Sequence, residues 1–108
     1  MILIFGGAYQ GKYAYAKERF GDMKIVNEFH KWVLELVKED KNVGEEVRRF
    51  ISENRDTIVI CDDISCGVVP ADAEIRLWRE AVGRSMAALA EASNEVIRLF
   101  CGIPTKIK

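Results

Sequence analysis

The residues Gly6-Gly7-Ala8-Tyr9-Gln10-Gly11-Lys12-Tyr13 stand between an apolar run and a helical one. Their spacing, Gly6-x-x-x-x-Gly11-Lys12, is that of a phosphate-binding loop. Glycines let such a backbone curl until its N–H groups converge on one anion. The following helix contributes its positive dipole end, and Lys12 adds a full charge. Gly6, Gly7, Ala8, Tyr9, Gln10, Gly11, Lys12 and Tyr13 are therefore the candidate nucleotide-binding residues, with ATP or GTP as ligand. The competing reading is a plain glycine-rich turn from strand to helix. One position departs from the pattern. Ser or Thr follows the lysine in such loops and ligates Mg²⁺ through its hydroxyl, whereas this chain has Tyr13. A phenol carries its oxygen much farther from the backbone, so phosphate cradling can survive while metal geometry is lost.

A second constellation is Thr57-Ile58-Val59-Ile60-Cys61-Asp62-Asp63, an apolar strand ending in acid. A carboxylate in that place can support Mg²⁺ directly or through water, so Asp62 and Asp63 are the candidate metal residues. Lys12 and Asp63 are the candidate catalytic pair. A solvated acidic turn explains the same two residues equally well. The single histidine, His30, reads as a surface or capping residue, and Trp32 and Trp78 as core or interface anchors. Cys61, Cys66 and Cys101 are odd in number, contain no C-x-x-C and match no zinc spacing. Cys61 and Cys101 fall in apolar runs, where free cysteine acts as a small hydrophobe, while Cys66 lies in a loop where it could be reactive.

The elements that must position these groups alternate. Met1–Phe5 reads as a buried strand ended by Gly6-Gly7, Lys12–Phe20 as a short helix stopped by Gly21, and Lys24–Glu28 as a second strand. Helical periodicity runs from about His30 to Glu53. Phe29, Val33, Leu36 and Val37 share one face and Val47, Phe50 and Ile51 another, with a break at Asn42-Val43-Gly44. Thr57–Cys61 is a continuous run, β-branched from Thr57 to Ile60, and reads as a central strand. After a loop over Asp62–Ala71, Asp72 can cap a helix reaching about Ser93, with Ile75, Trp78, Val82, Met86 and Leu89 on its apolar stripe. Glu95–Cys101 is the last expected strand. The order predicts one α/β domain over residues 1–108. It is a three-layer, P-loop-type fold with a mostly parallel sheet of about four strands and helices on both faces. Met1–Phe5 and Thr57–Cys61 are the expected central strands.

Composition removes several partner classes. The 108 residues are 49% hydrophobic and 31% charged, with 16 basic against 17 acidic side chains and a net charge of −1. Basic and acidic residues alternate, as in Lys38-Glu39-Asp40-Lys41, so no nucleic-acid stripe is expected. The apolar runs fall far short of the ~20 residues that span a membrane, and no secretory signal is expected at Met1. Unpaired cysteines imply a reducing, cytoplasmic setting.

The N-terminal block Ile2-Leu3-Ile4-Phe5-Gly6-Gly7-Ala8 with Gly11-Lys12 resembles the opening of the bifunctional adenosylcobinamide kinase / adenosylcobinamide-phosphate guanylyltransferase family of cobalamin biosynthesis. Gly67-Val68-Val69-Pro70, the helix with Arg76, Trp78, Arg79 and Gly83, and the ending Gly102-Ile103-Pro104 with Lys108 are similar to the family's C-terminal blocks. The resemblance implies phosphoryl transfer from ATP or GTP to a corrinoid hydroxyl, with Mg²⁺ and with homo-oligomers. This chain departs from the family in three ways. The mid-chain is compressed into residues 29–56, the loop serine is Tyr13, and His30 does not sit in the family's histidine motif. The family's nucleotidylated histidine is therefore not carried over, and guanylyl transfer is not expected. Three functions compete: a reduced cobinamide-kinase-like enzyme, a nucleotide-binding module without turnover, and an interaction protein that keeps only the fold.

Overall fold

A computed structural model of the chain describes residues 1–64 and 71–108. Cys66 and the Gly67–Pro70 stretch lie outside the described residues. The strands are β1 (Ile2–Gly6), β2 (Lys24–Val26), β3 (Thr57–Asp62), β4 (Glu95–Phe100) and β5 (Ile103–Lys106). The helices are α1 (Lys12–Arg19), α2 (Phe29–Lys38), α3 (Val43–Glu53) and α4 (Ala73–Ala92). They form one sheet in the order β2-β3-β1-β4-β5. Its first four strands are parallel, and β5 returns antiparallel along β4.

The two most apolar strands, β1 and β3, are interior, as their unbroken hydrophobic character requires. Side chains alternate along each strand and split the core in two. Ile2, Ile4, Ile58, Ile60 and Ile97 pack with Ala16 of α1. Met1, Leu3, Val59, Cys61 and Val96 pack with Phe29 and Val33 of α2, Val47 of α3, and Val82 and Leu89 of α4. One helix thus covers one face of the sheet and three cover the other.

The helix starts follow local chemistry. Asn42 accepts a hydrogen bond from Glu45 N–H at 3.1 Å and Asp72 accepts one from Ile75 N–H at 3.0 Å, so both side chains cap as their residue types predict. The break near Asn42 separates α2 from α3. Trp32 stacks with Phe29 and Phe50, ring centroids 5.2 and 5.5 Å away being those of Phe29 and Phe50 respectively, and acts as a core anchor.

Three expectations are corrected. The sheet has five strands rather than about four, because Cys101 (φ 51°) and Gly102 (φ 74°) form a two-residue turn that folds Ile103–Lys106 back on β4. Pro104 looks like a strand breaker but sits opposite Leu99, next to the hydrogen-bonded Phe100–Ile103 pair, on an edge strand where its missing N–H breaks no ladder bond. Cys101 consequently leaves the strand and is exposed rather than buried in an apolar run. Ile75, expected on the apolar stripe of α4, is 41% exposed in the helix's first turn.

Candidate functional site

The Gly6–Lys12 loop leaves the sheet at the carboxyl end of β1, beside the ends of β3 and β4. Gly6 is required by close approach: a Cβ there would lie 2.3 Å from the Leu99 carbonyl oxygen of β4. Gly11 adopts φ 80°, a left-handed conformation that glycine takes without strain, and its carbonyl accepts the Tyr15 N–H at 3.0 Å to start α1. The loop is tied to its neighbours on both sides. Gly6 O accepts the Asp63 N–H at 2.8 Å, and the Gln10 side-chain oxygen accepts the Cys101 N–H. Tyr9, at φ 60°, places its side chain wholly in solvent.

Lys12 is the first residue of α1 and is only 6% exposed. Its ammonium donates to Gly7 O at 2.6 Å and pairs with Asp62 Oδ1 at 2.8 Å. The other Asp62 oxygen lies 3.5 Å from His30 Nε2. His30 Nδ1 accepts the Asp62 N–H at 3.1 Å. That hydrogen bond puts the imidazole proton on Nε2, facing the carboxylate. Burial lowers the His30 pKa, against the pull of Asp62 in the opposite direction, so the ring is neutral near pH 7. Trp78 Nε1–H donates to His30 O at 2.7 Å and locks the start of α2 under α4.

His30 is thus 5% exposed and belongs to the site, which corrects its reading as a surface or capping residue. No spacing signal announces it, because 32 residues separate it from Asp62 and only the packing of α2 on β3 joins them. Tyr13 faces solvent, 46% exposed, with the Lys17 ammonium 5.9 Å from its ring centroid. Asp63 follows β3 and holds the loop through its backbone. Cys61, below Asp62, is an inert thiol: burial first, then the neighbouring carboxylates, push its pKa up to about 12.

Among the described residues no group of three His, Cys, Asp or Glu side chains could hold a metal by itself. The carboxylates at the end of β3 are Asp62, engaged by Lys12 and His30, and Asp63, which follows it. A cavity of about 550 Å³ lies elsewhere, between α3, α4 and the α2–α3 connection, near Val47, Arg48 and Arg84, and contains none of the loop residues.

Two arginines that carry the family resemblance hold backbone on either side of residues 65–70. Arg79 Nε donates to Ile64 O at 2.9 Å and Arg76 Nη1 to Ala71 O at 2.6 Å. Among the described residues no helix is long and apolar enough to cross a membrane. A family model described as "Cobinamide kinase / cobinamide phosphate guanyltransferase" matches residues 18–107, a span that begins after the Gly6–Lys12 loop. No curated protein matches the chain.

Proposed function

Because the chain belongs to the cobinamide kinase / cobinamide phosphate guanyltransferase family of cobalamin biosynthesis, we propose that it binds ATP or GTP through Gly6–Lys12 and acts as a reduced, cobinamide-kinase-like protein. The observation that carries this reading is the placement of Lys12. Its ammonium sits inside the loop, against Gly7 O and Asp62, where an incoming phosphate would meet both the cation and the amides of residues 7–12. A triphosphate would replace Asp62 as the main partner of Lys12. On this reading a corrinoid side-chain hydroxyl attacks the γ-phosphorus, the bond from that phosphorus to the bridging oxygen breaks, and the hydroxyl proton passes to water. Lys12 stabilises charge on the transferring group, and Asp62 and Asp63 are the residues that would hold Mg²⁺. When bound, the metal neutralises charge between the β- and γ-phosphates.

Of the family's two activities, guanylyl transfer is the one this site is least equipped for. His30 has both ring nitrogens turned to Asp62 and is buried, so it offers no nucleophile to a nucleotide. The outward Tyr13 favours a second reading, nucleotide binding with little turnover, because no hydroxyl follows Lys12 to fix the metal. A metal misplaced by about 1 Å can cost 10²-fold in rate.

Calorimetric titration with ATP and GTP, each with and without Mg²⁺, tests binding. At 100 times its Kd a ligand stabilises the fold by about 2.7 kcal/mol, which raises Tm by roughly 10 °C for a chain of this size. Lys12→Ala should remove most of that shift. An unchanged Tm with millimolar nucleotide refutes the reading. Phosphorylation of cobinamide then separates the two activities: the wild type should turn over weakly or not at all, and Tyr13→Ser should raise the rate or tighten Mg²⁺-nucleotide binding. Robust wild-type turnover that falls on Tyr13→Ser would make the tyrosine an adapted functional residue.

A further inference from the structure

The carboxyl edge of the sheet continues past the phosphate loop into the β4–β5 hairpin, and there the surface changes character. Phe100 and Ile103 flank the Cys101–Gly102 turn as a cross-strand pair, which sets their side chains together on one face. They are 60% and 65% exposed. Large apolar side chains at such exposure, side by side, mark a surface that something covers. Arg98, two residues back along β4 and so on the same face, holds its guanidinium 5.5 Å from the Phe100 ring centroid. The pair is coupled directly to the loop: the Cys101 N–H inside the hairpin turn donates to Gln10, which precedes Gly11 and Lys12. The register places the turn beyond the loop's own root, since Phe5 pairs with Arg98 and Gly6 abuts the Leu99 carbonyl.

We propose that the Phe100–Ile103 pair, backed by Arg98, is the stacking platform for the purine base of the nucleotide whose phosphates the Gly6–Lys12 loop holds. This rests on the phosphate-loop reading above and assigns the other end of the same ligand. The two sides of β1 are used differently. On the β3 side, the described groups next to Lys12 are Asp62 and His30, which are polar and engaged with one another, a poor surface for a flat apolar ring. On the β4 side the next exposed surface is aromatic and aliphatic with a cation at its edge, a composition suited to a base through its π-face and its electron-rich ring atoms. In open α/β sheets ligands lie across the carboxyl ends of the strands, and the hairpin after β4 lies on that edge beside the loop at the end of β1. Gln10, bridging the loop and the turn, fixes the distance between phosphate cradle and platform.

The test compares ligands that share phosphates and differ in the base. ATP, GTP and tripolyphosphate are titrated into the wild type, Phe100→Ala and Phe100→Trp, with the mass of each protein measured by light scattering. Loss of one stacking partner should weaken ATP and GTP by about tenfold in Phe100→Ala. Tripolyphosphate affinity should not change, and Phe100→Trp should keep nucleotide affinity and show quenching of the new indole on binding. If tripolyphosphate binds but Phe100→Ala leaves ATP and GTP affinity untouched, the platform is overturned and the phosphate loop stands. A drop in mass on Phe100→Ala without any change in nucleotide affinity also overturns it, and makes the patch a contact between copies. If tripolyphosphate and both nucleotides fail to bind the wild type, the phosphate-loop reading falls and the platform with it.

Discussion

The two flanks of β1 at the carboxyl edge of the sheet are built to opposite rules. Toward β3, charged and polar groups are buried and consume one another: Lys12 is 6% exposed and the neutral His30 5%, and Asp62 touches both. Toward β4, apolar groups are left in solvent at Phe100 and Ile103. Both inversions of ordinary burial occur beside the same glycine-rich loop. Buried charges persist only when paired and hydrogen-bonded, so the β3 flank is a polar network whose parts depend on one another. Exposed apolar groups carry little folding energy, so the β4 flank is free to serve a ligand at small cost to stability. Mutations on the first flank should therefore damage the fold, and those on the second should spare it.

The sharpest break in the comparison lies at the loop's root. Gly6→Val forces a Cβ onto the Leu99 backbone oxygen, which cannot move without parting β1 from β4. A loss of about 3 kcal/mol or more is expected in urea unfolding. Wild-type-like stability would mean that the strands part more easily than the register implies.

Within the polar flank the pair should be asymmetric. Asp62→Ala strands a nearly buried ammonium and should cost about 3 kcal/mol. Lys12→Met removes the more buried charge and leaves Asp62, 24% exposed, with His30 and water, so its cost should be clearly smaller. Equal losses in thermal or denaturant unfolding would contradict this ordering. Trp78→Phe keeps the ring but removes the donor to His30 O, and should cost about 1 kcal/mol.

Acid should loosen the same flank. The His30 pKa is lowered in the folded protein by burial, so the unfolded chain takes up the proton first as pH falls. The stability that neutral His30 contributes is complete above its unfolded pKa near 6.5 and is lost as pH falls from there through the folded value. Stability measured from pH 7.5 to 5 should decline, and His30→Asn should flatten the part of that decline due to the imidazole. A steeper decline in the variant would reverse the assignment. On the other flank, Phe100→Ser and Ile103→Ser should each shift stability by no more than about 0.5 kcal/mol. A loss beyond 1.5 kcal/mol would show that these side chains are structural.

The α/β order, the two central strands, the cap at Asp72 and the break between α2 and α3 were legible in the chain, because apolar runs, β-branching and cap chemistry act over a few residues. The Gly6–Lys12 loop was legible for the same reason: its spacing is local. The fifth strand was obscured by Pro104, whose tolerance depends on the register it acquires only at a sheet edge. His30 had no local signal at all. A lone histidine after a short strand becomes part of a site only when α2 packs on β3 and brings Asp62, 32 positions on, to both of its nitrogens. The hairpin turn at Cys101 reaches Gln10 across 91 residues in the same way. Residue types and their periodicity determined which elements form and where the glycine-rich loop leaves the sheet. Which side chains meet at that loop was decided by tertiary packing, because the contacts that pair Lys12 with Asp62 and Gln10 with Cys101 exist only once the strands have taken their order.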